Sequence, residues 1–360
     1  MRRNHLGILS GASIFFGSIL SLLGPAGSVA RGQVIQPPYD SVYTLSDLGA
    51  VPGLPTPYGG LDFLVGNPNV IVIGGAANAA GGQLFTIGVV RDAQSHITGL
   101  SGSATFFSDG AFNDGGVVFG PGNVLFYTRF PNNEIGEVKP GSTITDKVVA
   151  LDPLSIGSSV GALNFVPSGF PGAGQMKIVS YDTAQWYTAA FSADGTGTYN
   201  ITSATLNTTI QGGPEGFVYV PVGSPVFPVN SMLVSEYGND VVSIYQFDGG
   251  ANPLPLTRSI FINGLAGAEG AVIDPLTGDF LFSTFGSANH VIVVRGFAQP
   301  PTPTPTVAGG ATPTPPPPTP PPTPIPGPPV APVPTLSPSM VALLGVALIA
   351  IALLVLRRSS

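Results

Sequence analysis

Two stretches decide how this chain is read. One is Gly213-Pro214-Glu215-Gly216-Phe217-Val218-Tyr219-Val220-Pro221; the other is Gly267-Ala268-Glu269-Gly270-Ala271-Val272-Ile273-Asp274-Pro275. Each opens on glycine, carries Glu-Gly, runs through a short segment of strand-forming residues and stops at proline. The continuation repeats too: Met232–Ser235, the turn Gly238-Asn239-Asp240 and Val241–Phe247 in the first; Phe280–Ser283, Ala288-Asn289-His290 and Val291–Val294 in the second. Val, Ile, Phe and Tyr suit the pleated surface of a strand, whereas Gly, Asn, Asp and Pro break strands and turn the chain. The unit is therefore three strands joined by two turns.

The same frame fits three earlier stretches. Gly116–Pro121 leads to Val124–Thr128, a turn at Asn132-Asn133 and Ile135–Val138. Ala162–Pro167 leads to Met176–Ser180, a turn near Asp182 and Gln185–Phe191. Gly60–Leu64 leads to Val70–Ile73 and Gln83–Val90. The frame positions 60, 116, 162, 216 and 270 lie 46 to 56 residues apart. Three or four antiparallel strands in a unit of about 50 residues predict an all-β fold, a β-propeller over residues 33–297. The frame gives five blades, or six if Leu100–Phe107 or Ile201–Ile210 conceals another unit. Val42–Leu48 precedes the first unit and is predicted to pair as the outer strand of the last blade, closing the ring. A β-sandwich or β-helix is the rival all-β reading, and the repeat is too long for a β-helix coil.

Composition agrees. The 360 residues include 49 Gly and 39 Pro, and only 9% are charged. Gly and Pro are the poorest helix formers, and low charge suits blades buried on both faces. With no cysteine, thiolate zinc sites, thiol catalysis and disulfides are excluded. All nineteen acids lie between Asp40 and Asp279, against eight Lys and Arg between Arg31 and Arg295. Such a surface repels phosphate backbones, so nucleic acid is not an expected partner.

The two ends read as addresses. Arg2 and Arg3, an apolar run from Leu6 to Leu23 and Ser28-Val29-Ala30 form a secretory signal peptide over residues 1–30, cut after Ala30. Residues 299–334 are a Pro/Thr-rich linker: from Pro300 to Pro334 there are eighteen Pro and seven Thr in thirty-five residues, with no charge. Such a segment forms no core and adopts extended polyproline II, a spacer of roughly 100 Å at about 3.1 Å per residue. Met340–Leu356 is an uncharged apolar run of about 25 Å as a helix, the short end of the membrane-spanning range. Arg357 and Arg358 come next and stay cytoplasmic, which puts the main body on the periplasmic side.

Val333-Pro334-Thr335-Leu336-Ser337, the apolar run and Arg357-Arg358 together resemble the IPTL-CTERM tail, a relative of the PEP-CTERM sorting signals of Gram-negative bacteria. Val333 departs from that pattern, as does Pro338. The resemblance covers residues 333–360 and implies processing by an exosortase-like enzyme, with display at the cell surface or release. The body is similar, loosely, to gluconolactonase-like and NHL propellers. In gluconolactonase-like enzymes a Glu of a comparable Glu-Gly motif binds a divalent cation, with Asn and Asp from other blades.

In a propeller the first strand of each blade lines the channel. Glu215 and Glu269 share one repeat position, and Asp114 sits one residue displaced from it, so these three are the candidate metal ligands. Asp62 and Asn164 also fall on first strands. Ca²⁺ takes six to eight oxygens and could support lactone or ester hydrolysis at such a mouth. Carboxylates hydrogen-bonded to neighbouring blades are the structural alternative. Asn132, Asn133, Asn239, Asp240 and Asn289 are turn formers by type. His96 reads as an exposed loop residue and His290 as a solvated turn residue. Trp186 and Tyr187 read as blade packing rather than a sugar-stacking surface. No nucleophile elbow, phosphate loop or zinc-protease motif is present. No catalytic residue is assigned. The expected function is an exported binding or scaffold module for a protein or polysaccharide ligand. The alternatives are a divalent-metal-dependent lactonase- or esterase-like hydrolase and a structural component of the matrix or surface layer.

Overall fold

A computed structural model describes residues 32–286 and 288–300. The signal peptide, nearly all of the Pro/Thr-rich linker, the sorting motif and the apolar helix expected from sequence lie outside the described residues. The described chain forms five antiparallel sheets arranged as the five blades of a propeller. Blade one is Tyr58–Phe63, Val70–Gly75, Gln83–Arg91 and Ile97–Asp109. Blade two is Asn113–Phe119, Leu125–Arg129, Glu134–Val138 and Lys147–Ala150. Blade three is Val160–Phe165, Met176–Ser180, Gln185–Ala193 and Tyr199–Thr209. Blade four is Pro214–Tyr219, Ser231–Glu236, Val241–Gln246 and Ser259–Asn263. Blade five is Ala268–Ile273, Phe280–Thr284 and Val291–Arg295.

The fourth strand of blade five comes from the other end of the described chain. Thr44–Asp47 pairs antiparallel with Val291–Arg295, from Thr44 opposite Arg295 to Asp47 opposite Ile292. The ring is thus closed by the N-terminal strand, as the sequence predicts. Leu100–Phe107 and Ile201–Ile210 hide no sixth blade; they belong to the outer strands of blades one and three. Blade four gains a fifth strand that the sequence does not foretell, Val34–Ile35, paired with Asn263 and Ile262.

Side chains alternate across each sheet, and both faces are buried. In blade five, Phe280 and Phe282 pack toward blade four while Leu281 packs toward blade one. In blade four, Met232 and Val234 face blade three and Leu233 faces blade five. This two-residue period, buried on both sides, is why the strands read as unbroken apolar runs. Five apolar clusters result, one for each seam between blades. Trp186 is fully buried against Phe217 in the seam of blades three and four, and Tyr187 is buried in the next, so both are packing residues.

The repeated glycine exists for the ring itself. A Cβ on Gly216 would lie 2.4 Å from the carbonyl oxygen of Glu269, and one on Gly270 would lie 2.5 Å from the Cα of Gly60. Inner strands of neighbouring blades approach backbone to backbone there, which leaves no room for a side chain at 60, 116, 216 and 270; blade three carries Ala162 at the equivalent position. Ser283 stitches the same level: its hydroxyl donates to Gly59 O (2.6 Å) and accepts from Gly270 N–H (3.0 Å).

Candidate functional site

Each inner strand carries a bulge at its start. In blade four, Pro214 pairs with Glu236 and the next pair is Phe217 with Val234; in blade five, Ala268 pairs with Thr284 and Ala271 with Phe282. Three steps on the inner strand match two on its neighbour. The residues in between leave the ladder and their side chains are re-aimed. Glu215 and Glu269 are the residues so released. In blade two the step is larger, Asn113 to Val117 against Arg129 to Tyr127. That extra residue is the one-position displacement of Asp114 seen in the sequence. Blades one and three carry Gly59 and Gly161 there instead.

The three carboxylates meet at one end of the channel, here called the upper end. One oxygen from each of Asp114, Glu215 and Glu269 lies within 4.8 Å of the other two. The residues are 1%, 4% and 1% exposed. Asp114 Oδ2, Glu215 Oε2 and Glu269 Oε1 are buried without a hydrogen-bond partner. Asn78 is the polar neighbour: its amide nitrogen, suitably turned, donates to Asp114 Oδ1 (2.9 Å) and Asn113 O (3.2 Å). Burial pushes the Asp114 carboxyl up to about 7. Burial raises Glu215 and Glu269 well above the usual range, and the facing Asp114 charge adds to both.

The carboxylates floor a cavity of about 320 Å³ whose wall is aromatic: Phe130, Tyr181, Tyr237 and Phe285, with Asn78 completing it. Among the described residues no Lys, Arg or His lines it. The four rings occupy one structural position, the residue just after the second strand of blades two to five. Phe130 and Tyr181 have centroids 6.1 Å apart, Tyr181 and Tyr237 6.0 Å, Tyr237 and Phe285 5.9 Å, with interplanar angles of 84°, 70° and 78°. This edge-to-face chain makes a collar. It is open at blade one, where the equivalent residue is Ala76. Sequence reasoning missed the collar. Its signal was present, as an aromatic residue at 130, 181, 237 and 285 that recurs with the frame.

Asp62 and Asn164 do not join the carboxylates, contrary to the ring of oxygens expected from their place on first strands. They stand three residues further along the inner strand than the glutamate position, roughly 10 Å, and line the other end of the channel. Both are fully used as staples between blades. Asp62 Oδ1 accepts from Phe63 N–H and Oδ2 from Phe119 N–H of blade two, each at 2.7 Å. Asn164 Oδ1 accepts from Phe165 N–H (2.7 Å) and its Nδ2 donates to Phe217 O of blade four (2.8 Å).

The histidines also depart from expectation. His96 is not a free loop residue: its Nδ1 lies 2.6 Å from Oδ2 of the buried Asp279, across the seam of blades one and five. His290 Nδ1 lies 2.9 Å from Asp47 Oδ2 on the closing strand. Neither reaches the cavity. Asn133, Asp240 and Asn289 take the left-handed backbone that their turns demand. Lys177, which the sequence did not flag, is buried between blades three and four. Its ammonium donates to Thr188 Oγ1 (2.6 Å), Gly250 O (2.6 Å) and Asn252 Oδ1 (2.9 Å), and burial pushes it down to about 8.

No protein-family model matches the chain, and no curated protein matches it. Solved structures align with the chain at low scores. A carbohydrate-active enzyme of family AA12 from Trichoderma reesei aligns with 7% identity and a TM-score of 0.41, over 73% of this chain and 97% of that one. The PQQ-bound aldose sugar dehydrogenase of Streptomyces coelicolor aligns with 12% identity and a TM-score of 0.36, over 69% and 83%. The β-propeller domain of Cps50 (Swd1) from Myceliophteria thermophila aligns with 9% identity and a TM-score of 0.34, over 66% and 70%. At these values the likeness carries no argument about this chain.

Proposed function

We propose that this protein is an exported, membrane-tethered propeller that binds a cation at its upper mouth, a binding module rather than a catalyst. One observation carries the site: three buried carboxylates with unpaired oxygens share a cavity that, among the described residues, no cationic side chain lines. Buried carboxylates are ordinarily paired with a positive group or held to hydrogen-bond donors. A bound cation supplies the missing partner. Hard oxygens suit Ca²⁺. Asp114, Glu215 and Glu269 would hold it, with the Asn78 amide nitrogen held on Asp114 Oδ1 beside them.

The address system supports export and tethering: the signal peptide, the Pro/Thr spacer, the Val333–Ser337 motif and Arg357-Arg358. Within the described residues the chain leaves the body at the end of the channel opposite the carboxylates. Inner strands run from the carboxylates toward Asp62, and the last described strand runs the same way. The chain therefore reaches Pro300 on the lower face, where Ala298 N–H donates to Ser224 Oγ (3.1 Å).

A native mass spectrum of the protein recovered from its own cells tests both halves. The expected spectrum lacks the first thirty residues and the tail beyond about Thr335, and retains a cation. A mass that begins at Met1 and reaches Ser360 with no bound cation would contradict export, sorting and site together. Turnover of lactones or esters that is lost in Glu215→Gln would replace the binding module by the hydrolase.

A further inference from the structure

The carboxylates call for a positive charge; the collar above them indicates what carries it. A bare metal ion engages oxygens and leaves Phe130, Tyr181, Tyr237 and Phe285 without a role. Yet the four rings line the mouth half-buried, at one repeated position in four successive blades. Half-exposed apolar surface around an open cup is kept at a cost in solvation. The rings meet edge-to-face rather than stacked, so no ring lies flat against its neighbour. Aromatic faces attract cations electrostatically within about 6 Å of the centroid, and aromatic walls recognise alkylated ammonium groups in this way. Carboxylates beneath such a wall add direct charge pairing in a site of low dielectric.

We propose that the upper cup binds an organic ammonium ligand, its alkylated nitrogen on Asp114, Glu215 and Glu269 and its carbon substituents against the four-ring collar. The inference rests on the cation-binding reading and names the ligand class. The cavity, about 320 Å³, is at the small end of ligand pockets, so it holds the ammonium head and little more. The rest of the ligand leaves through the one side without a ring, where blade one carries Ala76 and the half-buried Asn78. Among the described residues no other three acidic or histidine side chains converge closely enough to share one cation.

The test is calorimetric titration of the full chain in detergent with tetramethylammonium, choline and CaCl₂ in turn. The wild type and the variants Glu215→Gln and Tyr237→Leu are compared. The proposal expects tetramethylammonium and choline to bind the wild type. Glu215→Gln should lose that binding, and Tyr237→Leu should weaken it about three- to thirtyfold with Ca²⁺ affinity unchanged. Binding of Ca²⁺ alone, indifferent to Tyr237→Leu and lost in Glu215→Gln, would overturn the organic ligand and leave the cation-binding reading standing. Binding of neither kind by a folded wild type, with the circular dichroism of a β-sheet protein, would overturn both. Tyr181→Leu serves in place of Tyr237→Leu should that variant fail to fold.

Discussion

The two ends of one channel hold the same kind of residue in opposite circumstances. At the lower end Asp62 is raised to about 7 by burial, and at the upper end burial raises Asp114 to about 7 as well. By acidity alone the two are indistinguishable. Their partners separate them. Asp62 receives two backbone N–H groups at 2.7 Å, one from its own strand and one from the next blade. Asp114, Glu215 and Glu269 each keep a buried oxygen with no donor. Elsewhere Glu236, equally buried, accepts from Arg258 Nε (2.7 Å) and Nη2 (2.6 Å) and from Tyr245 (2.9 Å), and is held below the usual range by Arg258 and its other donors despite burial. A buried acid is thus a structural staple where donors surround it and a candidate binding group where they are missing.

The most drastic way to break the contrast is at the upper end. Glu215→Gln combined with Glu269→Gln leaves one carboxylate of three, and cation affinity should fall about a hundredfold or more, measured as loss of the cation-induced rise in Tm. The matching change below acts on folding instead. Asp62→Ala strands the N–H groups of Phe63 and Phe119 and should destabilise the protein by about 2–4 kcal/mol, read as a lower denaturant midpoint at unchanged m. Glu269→Gln has the opposite sign. It removes one of three mutually repelling acids and offers an amide donor to Asp114, so the cation-free protein should gain about 1–2 kcal/mol in the same assay.

The pH dependence sharpens the comparison further. Each raised carboxyl has a native value above its unfolded value of about 4, so the folded state holds more protons. The stability these groups contribute is full below that unfolded value. It is lost as pH rises through about 7 for Asp62 and Asp114, and Glu215 and Glu269, also raised by burial, contribute in the same direction. Chemical denaturation of the cation-free protein should show stability falling as pH rises from about 4 through 7, and Glu269→Gln should lessen that fall. The smallest effect belongs to Asn164→Asp. It exchanges the Nδ2 donor facing Phe217 O for a carboxylate oxygen and should cost about 1 kcal/mol at neutral pH, less when the new acid is protonated.

Most of the fold was legible because the ring imposes itself on the sequence. Glycine at 60, 116, 216 and 270 is required by backbone contact, and proline closes the inner strand in blades two to five. The closing strand was legible as a strand left over before the first unit. Val34–Ile35 was not, since two residues carry no period. Of the site, the shared position of Glu215 and Glu269 and the displacement of Asp114 could be read. The error over Asp62 and Asn164 came from treating a whole inner strand as one rim, when three residues separate one mouth from the other. The collar was hidden because Tyr or Phe at a strand end reads as more strand. The His96–Asp279 pair was hidden because its partners lie 183 positions apart in the chain and meet only when the ring closes.

The claim that the upper mouth takes a cation is tested most directly by counting protons. Burial raises all three acids above their ordinary range, Asp114 to about 7, so a cation bound to their charged forms must release protons. Calorimetric titration of the full chain at pH 7 in buffers of differing ionisation enthalpy measures that release. The account predicts net proton release on cation binding, reduced in Glu269→Gln. Binding with no proton release, or no binding by the folded protein to any cation tried, would contradict it.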